Sequence, residues 1–285
     1  MVPALLKWIG NKQRFAEQIV SYMPESFCNY YEPFLGSGAV MAELLNADRS
    51  KFYPHVEHAY GSDALPFLIE LFDIVKNDPQ SISDYYEKEI NDYYSRPDEK
   101  YKEIRDRFNL KHNPWDFCIL SRTCYSGIIR FRKNDGYMST PRGPHKPICP
   151  ATFDNRVKLW NSLLEKADFS NENYTSAMDK AQYGDVIYCD PPYTHSQGII
   201  YGAQSFDVNK LFAKIHECKD RGVKVILSIN GMRDDGSLDI SVKPPEGLFE
   251  RRLFIDCGTS MIDRLQHSGR SMKNKKVDDQ LLLTW

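Results

Sequence analysis

Long apolar runs are missing from this sequence. No stretch approaches the ~20 consecutive apolar residues that a bilayer-spanning helix needs, although 41% of the 285 residues are hydrophobic. The opening Met1-Val2-Pro3-Ala4-Leu5-Leu6-Lys7 places a lysine where a secretory signal would continue its apolar core, which predicts a cytoplasmic protein. Tightly spaced cysteines are missing too. The chain has 7, an odd number, and none stands in CxxC or close Cys/His spacing. That indicates neither a disulfide framework nor a zinc site, so reduced thiols and no metal are expected. Positive charge is not in excess: 37 Lys and Arg against 39 Asp and Glu leave a net charge of −2. This balance argues against a protein coated in nucleic acid, since phosphate is bound chiefly by Lys and Arg. Neither an internal repeat nor a low-complexity tract occurs.

What is present is an α/β alternation that breaks off and resumes. Asn29–Phe34 reads as a short strand ending in Leu35-Gly36-Ser37-Gly38, and Ala39–Asn46 as the helix after it. A polar stretch then leads to a second strand over His58–Asp63 and an amphipathic helix over Leu65–Lys76. From Gln80 to about Asn113 the text becomes rich in Tyr, Glu, Lys and Asp, which suggests polar helices over Ile82–Tyr94 and Lys100–Asn109. Asn113–Pro150 reads as a helix followed by a loop-rich basic segment, and with it the region reads as an inserted module. Between Ile119 and Pro147 this module collects Arg122, Arg130, Arg132, Lys133, Arg142 and Lys146 against Asp135 alone. On charge alone the cluster is a solvated loop. Alternation resumes with a helix over Asp154–Lys166, a strand over Asp185–Cys189 and a helix over Asn209–Arg221. Strands over Val223–Ser228, Leu248–Ile255 and Gln280–Trp285 complete the reading.

Three features carry chemistry. Gly36 and Gly38, directly after a strand, let the backbone turn tightly and approach a ligand; an ordinary strand-to-helix turn would look the same. Asp63 ends the second strand ~25 residues later, where doubly wound sheets place an acid that binds ribose hydroxyls. It could equally cap the helix that follows. Together the two features favour a nucleoside-type ligand. The sharpest signal is Asp190-Pro191-Pro192-Tyr193 directly after a buried strand, where ligands bind in such sheets. Consecutive prolines fix the backbone and leave carbonyls free. A carboxylate and the Pro191 carbonyl can then accept both protons of an exocyclic amino group, with Tyr193 as a stacking surface for a base.

These motifs, in this order, resemble the DNA adenine methylases of the Dam type over nearly the whole chain. Leu6-Lys7-Trp8-Ile9-Gly10-Asn11-Lys12 is similar to that family's N-terminal element, Glu32–Gly38 to its glycine turn and Tyr188–Tyr193 to its catalytic segment. Arg122–Arg130, with Gly136 and Thr140-Pro141-Arg142-Gly143, resembles its DNA-reading hairpin. Val225–Asn230 and Asp279–Leu283 fit its last strands. The resemblance implies a Rossmann-like, S-adenosylmethionine-dependent catalytic domain in residues 1–78 and 154–285. Residues 79–153 would be a mainly helical target-recognition insertion, with the hairpin near 122–143. It implies cofactor contacts from Trp8, Lys12, Glu32, Phe34, Gly36, Gly38, Asp63 and Asp190, joined by Asn173 and Tyr174 where the family often has Asp-Phe. Without it, Trp8 reads as core and Lys12 as a surface charge. It implies DNA contacts from Arg122, Tyr125, Ser126, Arg130, Arg132, Lys133, Pro141 and Arg142. Asp190, Pro191 and Tyr193 would act on N6 of an adenine flipped out of double-stranded DNA, with Tyr125 a candidate wedge in the vacated duplex. A restriction endonuclease of the same system is a partner such enzymes can have. Ser139 stands where readers of GATC usually carry Asn, and the spacing from Arg130 to Gly136 is one residue longer, so the target sequence stays open. An N4-cytosine methyltransferase presents a similar site, more often with Ser in place of Asp190. A catalytically silent DNA-binding subunit could retain the same fold.

Overall fold

The computed structural model describes residues 1–50, 54–132, 134–192, 206–233, 243–259 and 276–285. Its strands are β1 (Ser26–Glu32), β2 (His55–Asp63), β3 (Ala167–Asn171), β4 (Val186–Cys189), β5 (Lys224–Arg233), β6 (Arg251–Thr259) and β7 (Lys276–Leu283). They form one sheet in the order β3-β2-β1-β4-β5-β7-β6. β7 runs antiparallel to both neighbours and every other pairing is parallel. This is a Rossmann-like α/β fold, as the sequence predicted.

The helices are α1 (Ala16–Ser21), α2 (Ala39–Arg49), α3 (Pro66–Asn77), α4 (Pro79–Ser95), α5 (Pro97–Lys111) and α6 (Pro114–Thr123), then α7 (Pro150–Leu163), α8 (Tyr174–Lys180) and α9 (Val208–Asp220). Proline at the first turn starts α3, α4, α5, α6 and α7, where a missing N–H costs nothing and the fixed φ suits the helix. Asp78, Asn113, Asn173 and Asp207 each accept a backbone N–H at a helix start.

The alternation of β4 shows how the sheet is covered. Val186 and Tyr188 join the apolar cluster that contains side chains of α2, α3 and α7, whereas Ile187 and Cys189 join the one formed with α8 and α9. Helices α4, α5 and α6 extend the first cluster through Tyr86, Phe108 and Phe117. The chain leaves β1 towards β2 and β3 on one side, and leaves β4 towards β5 on the other. β1 and β4 are nevertheless neighbours, paired at Tyr30↔Val186 and Tyr31↔Ile187. Their carboxyl ends therefore open into the crevice where such sheets bind ligands.

Several boundaries differ from the sequence reading. α2 continues to Arg49 and β2 begins at His55, so both elements reach into the stretch read as polar and irregular. Strand β3, helix α8 and the short α1 went unread. β3 (Ala-Asp-Phe-Ser-Asn) has no apolar run because it is an edge strand with only its first residue fully buried. No described helix is long and apolar enough to cross a membrane.

Candidate active site

A cavity of about 490 Å³ lies over the carboxyl ends of β1 and β4. The end of β1 supplies Glu32 to its wall, the turn after it Phe34 and Gly36, and β2 supplies Asp63. Trp8 and Lys12 enter from the N-terminal segment, Asn173 and Tyr174 from the start of α8, and Asp190 and Pro191 from the end of β4. Segments distant in sequence thus converge on one space. Gly38 stands just behind it as the residue that opens α2. Tyr193 and Lys133 lie outside the described residues.

The glycine turn is built by backbone that other residues adopt poorly. Gly36 has φ +48° and Gly38 φ +64°. A methyl group on Gly36 would stand 3.0 Å from Nε1 of Trp8, and one on Gly38 would stand 3.2 Å from the Phe72 ring. Asp63 reads both ways at once. One carboxylate oxygen accepts the Gly36 N–H at 3.0 Å, which ties the turn to β2, and the other accepts the Leu65 N–H at 3.1 Å ahead of α3. Burial pushes its carboxyl up while these backbone N–H groups pull it down, and burial wins.

Glu32 is buried and its Oε2 accepts two hydrogen bonds, from the Tyr30 hydroxyl at 2.8 Å and the Met41 N–H at 3.0 Å. Desolvation, reinforced by the nearby Asp190 charge, outweighs those donors and pushes the carboxyl up to about 8. Near neutral pH it is therefore mostly protonated.

Lys12 is no surface residue: its side chain is 7% exposed. Its ammonium donates to both oxygens of Asp190 at 2.8 Å each and to the Gly10 carbonyl at 3.2 Å, with Asp279 Oδ2 3.5 Å away. The sequence reading quoted Asp279 only as the start of a closing strand; acids entering an apolar strand are the signal that could have flagged it. It also missed Phe206. Phe34 and Tyr174 stack with centroids 5.1 Å apart, and Phe206 meets them edge-on at 5.8 and 5.9 Å. Asn173 caps α8 through Thr175 N–H and so sets where Tyr174 stands.

The basic segment forms a hairpin whose arms touch at two isolated bridges, Cys124↔Arg142 and Phe131↔Met138. Its cations differ in what holds them. Arg122 faces inward, donating to the Leu5 carbonyl at 2.5 Å and lying over the Phe153 ring. Arg142 bonds Asp98, and Arg132 bonds Asp135 while covering Tyr137. Arg130 is exposed, with no side-chain hydrogen bond or ion pair among the described residues. Tyr125 is 41% exposed beside Ser126, whose φ is +55°. Pro141 accepts the Tyr125 N–H, joining the hairpin's base.

A DNA adenine methylase of Vibrio cholerae is 29% identical over 241 residues, covering 79% of this chain and 80% of that protein. One from Serratia marcescens is 31% identical over 195 residues, 67% of this chain and 66% of its own. Type II methyltransferase M.MjaIII of Methanocaldococcus jannaschii is 28% identical over 251 residues, with coverages of 80% and 84%. Residues 8–249 match the D12 class N6 adenine-specific DNA methyltransferase family, a span from Trp8 of the cavity wall through the glycine turn and Asp190. Over most of its length, and with those residues gathered at one switch point, the chain belongs to the D12 class of N6 adenine-specific DNA methyltransferases.

Proposed function

We propose that the methyl donor is S-adenosylmethionine, that the cavity holds it, and that Asp190 receives the amino group of an adenine flipped from double-stranded DNA. The volume suits a nucleoside-sized ligand, and a side chain at Gly36 would crowd the Trp8 wall. Asp63 keeps lone pairs for ribose hydroxyls beyond the two backbone bonds it accepts. Phe34, Tyr174 and Phe206 offer aromatic surface to a base, and Glu32, Trp8, Lys12 and Asn173 complete the wall. Bound there, S-adenosylmethionine supplies a methyl group already activated on a cationic sulfur.

The observation that carries this reading is the Lys12–Asp190 pair at the wall of that cavity. The N6 lone pair of adenine is delocalised into the ring. An acceptor at each of its hydrogens, Asp190 and the Pro191 carbonyl, favours a pyramidal nitrogen whose lone pair can be aimed. Both Asp190 oxygens accept from Lys12, and each keeps a further lone pair for an amino hydrogen. The Gly10 carbonyl and Asp279 help hold the ammonium beside the carboxylate. Positioning and fixed charges then supply the catalysis, without a covalent enzyme intermediate.

Residues 79–153 serve as the target-recognition unit. Unstacking the base costs a few kcal/mol, with Tyr193 stacking on it and Tyr125 filling the duplex. Arg130 reads a base edge. The exposed ion pairs of Arg132 and Arg142 are worth only about 0–1 kcal/mol each and can be exchanged for phosphate, and Lys133 is a further candidate phosphate contact by its sequence. Arg122 would first have to leave Leu5.

The test is methyl transfer from tritiated S-adenosylmethionine to plasmid DNA, followed by nucleoside analysis, for the wild type and Asp190→Ala. Label in N6-methyladenine that falls by orders of magnitude in the variant, with DNA binding kept, supports the reading. Near-normal turnover by Asp190→Ala would remove its assigned role.

A further inference from the structure

The hairpin of residues 124–142 lies outside the seven-stranded sheet, so its backbone groups need partners of their own. Its return arm, residues 137–141, alternates as a central strand does. Towards the outgoing arm, the Tyr137 carbonyl accepts from Arg132 N–H at 3.0 Å and Ser139 N–H donates to the Arg130 carbonyl at 2.9 Å. The intervening residues turn the other way, where a third strand would stand. None is there. Helix α5 takes that place with side chains spaced one turn apart. The Asn109 amide donates to the Met138 carbonyl at 3.2 Å and accepts the Met138 N–H at 2.6 Å, the pair of bonds a neighbouring strand would give. Four and eight residues earlier, Arg105 and the Tyr101 hydroxyl donate to the Thr140 carbonyl at 3.2 and 2.7 Å.

The consequence reaches Arg130. Its carbonyl is held by Ser139, and its N–H by the Thr140 hydroxyl at 3.2 Å. A slip of the return arm by one residue would turn every side chain on it to the other face. The geometry points to Asn109, supported by Tyr101 and Arg105, as a positioning residue that sets target specificity: it stands in for a missing strand, fixes the register of the return arm, and so aims Arg130 and Ser139 at the DNA. This rests on the proposal that the hairpin reads DNA.

The Asn109→Asp variant separates the two ideas. It keeps the acceptor for Met138 N–H and sets a carboxylate oxygen against the Met138 carbonyl. Its kcat/KM is measured on duplexes carrying the target site, located by sequencing methylated bases, and on duplexes with single base pairs changed. Arg130→Ala is measured beside it. The expectation for Asn109→Asp is discrimination lowered about tenfold at one or more positions, the size of one lost base contact, with single-turnover methylation at saturating target DNA little changed. If Asn109→Asp does not fold, Tyr101→Phe deletes one hydroxyl and carries the same expectation at smaller size. Discrimination kept by these variants while Arg130→Ala relaxes it overturns the positioning role alone. A uniform loss on all sites also overturns it. Discrimination kept by Arg130→Ala as well overturns the hairpin as the reader, and this role with it.

Discussion

Replacing Glu32 by glutamine should change how the stability of this protein depends on pH. The buried carboxyl sits at about 8 in the folded chain against an ordinary value of 4.5. Between those two values the unfolded chain has lost this proton and the folded chain retains it. Stability therefore falls as pH rises, by at most about 1.4 kcal/mol per pH unit. The contribution is complete below the ordinary value and gone above the folded one. From about pH 5 to about pH 7.5 it amounts to roughly 3 kcal/mol. Glutamine keeps an oxygen for Tyr30 and Met41 but cannot ionise. The measurement is urea unfolding of both proteins at a series of pH values, with the unfolding free energies subtracted so that other titrating groups largely cancel. The wild type should lose roughly 3 kcal/mol relative to Glu32→Gln across that window. Parallel profiles, or a wild type that gains on the variant as pH rises, would refute the argument that burial outweighs the two donors. A cation entering the cavity favours the ionised form. Calorimetry of S-adenosylmethionine binding near neutral pH, in buffers of different ionisation enthalpy, should accordingly show proton release by the wild type and less by the variant.

Asp279→Asn should lower kcat more than it raises KM for DNA, because it removes one carboxylate flanking Lys12 without touching the hairpin; unchanged kcat in steady-state assays would show that Asp279 does not help hold the ammonium. Gly36→Ala should cost roughly 1–3 kcal/mol through its positive φ and the Trp8 contact, read as a lower urea midpoint together with weaker S-adenosylhomocysteine binding; a fully stable variant with normal affinity would contradict the tight-turn argument. With 2-aminopurine at the target adenine, fluorescence should rise on binding, and Tyr193→Ala should bind more weakly yet fluoresce more brightly; no rise with either protein would count against base flipping.

The sequence by itself determined the class of fold, the switch-point motifs and the family. A compact apolar run marks the buried strand Val186–Cys189, whereas the helix starts at prolines 66, 79, 97, 114 and 150 were read a few residues away. Gly36, Gly38 and Asp63 were legible because a turn and a strand end are local features. Edge strand β3 was not, because its stability comes from pairing with β2 rather than from its own composition. Only the tertiary structure decided which charges are free. Lys12 is written like any surface lysine, yet an ion pair 178 residues away draws it into the cavity wall. Arg122 and Arg130 look alike in a basic run, yet one is spent on Leu5 and the other stays exposed. Burial, with the Asp190 charge beside it, raises Glu32, and Asn109 bonds Met138 on the side of the return arm where, among the described residues, no second strand stands. Such roles depend on what long-range packing brings alongside a residue, and no local pattern encodes that.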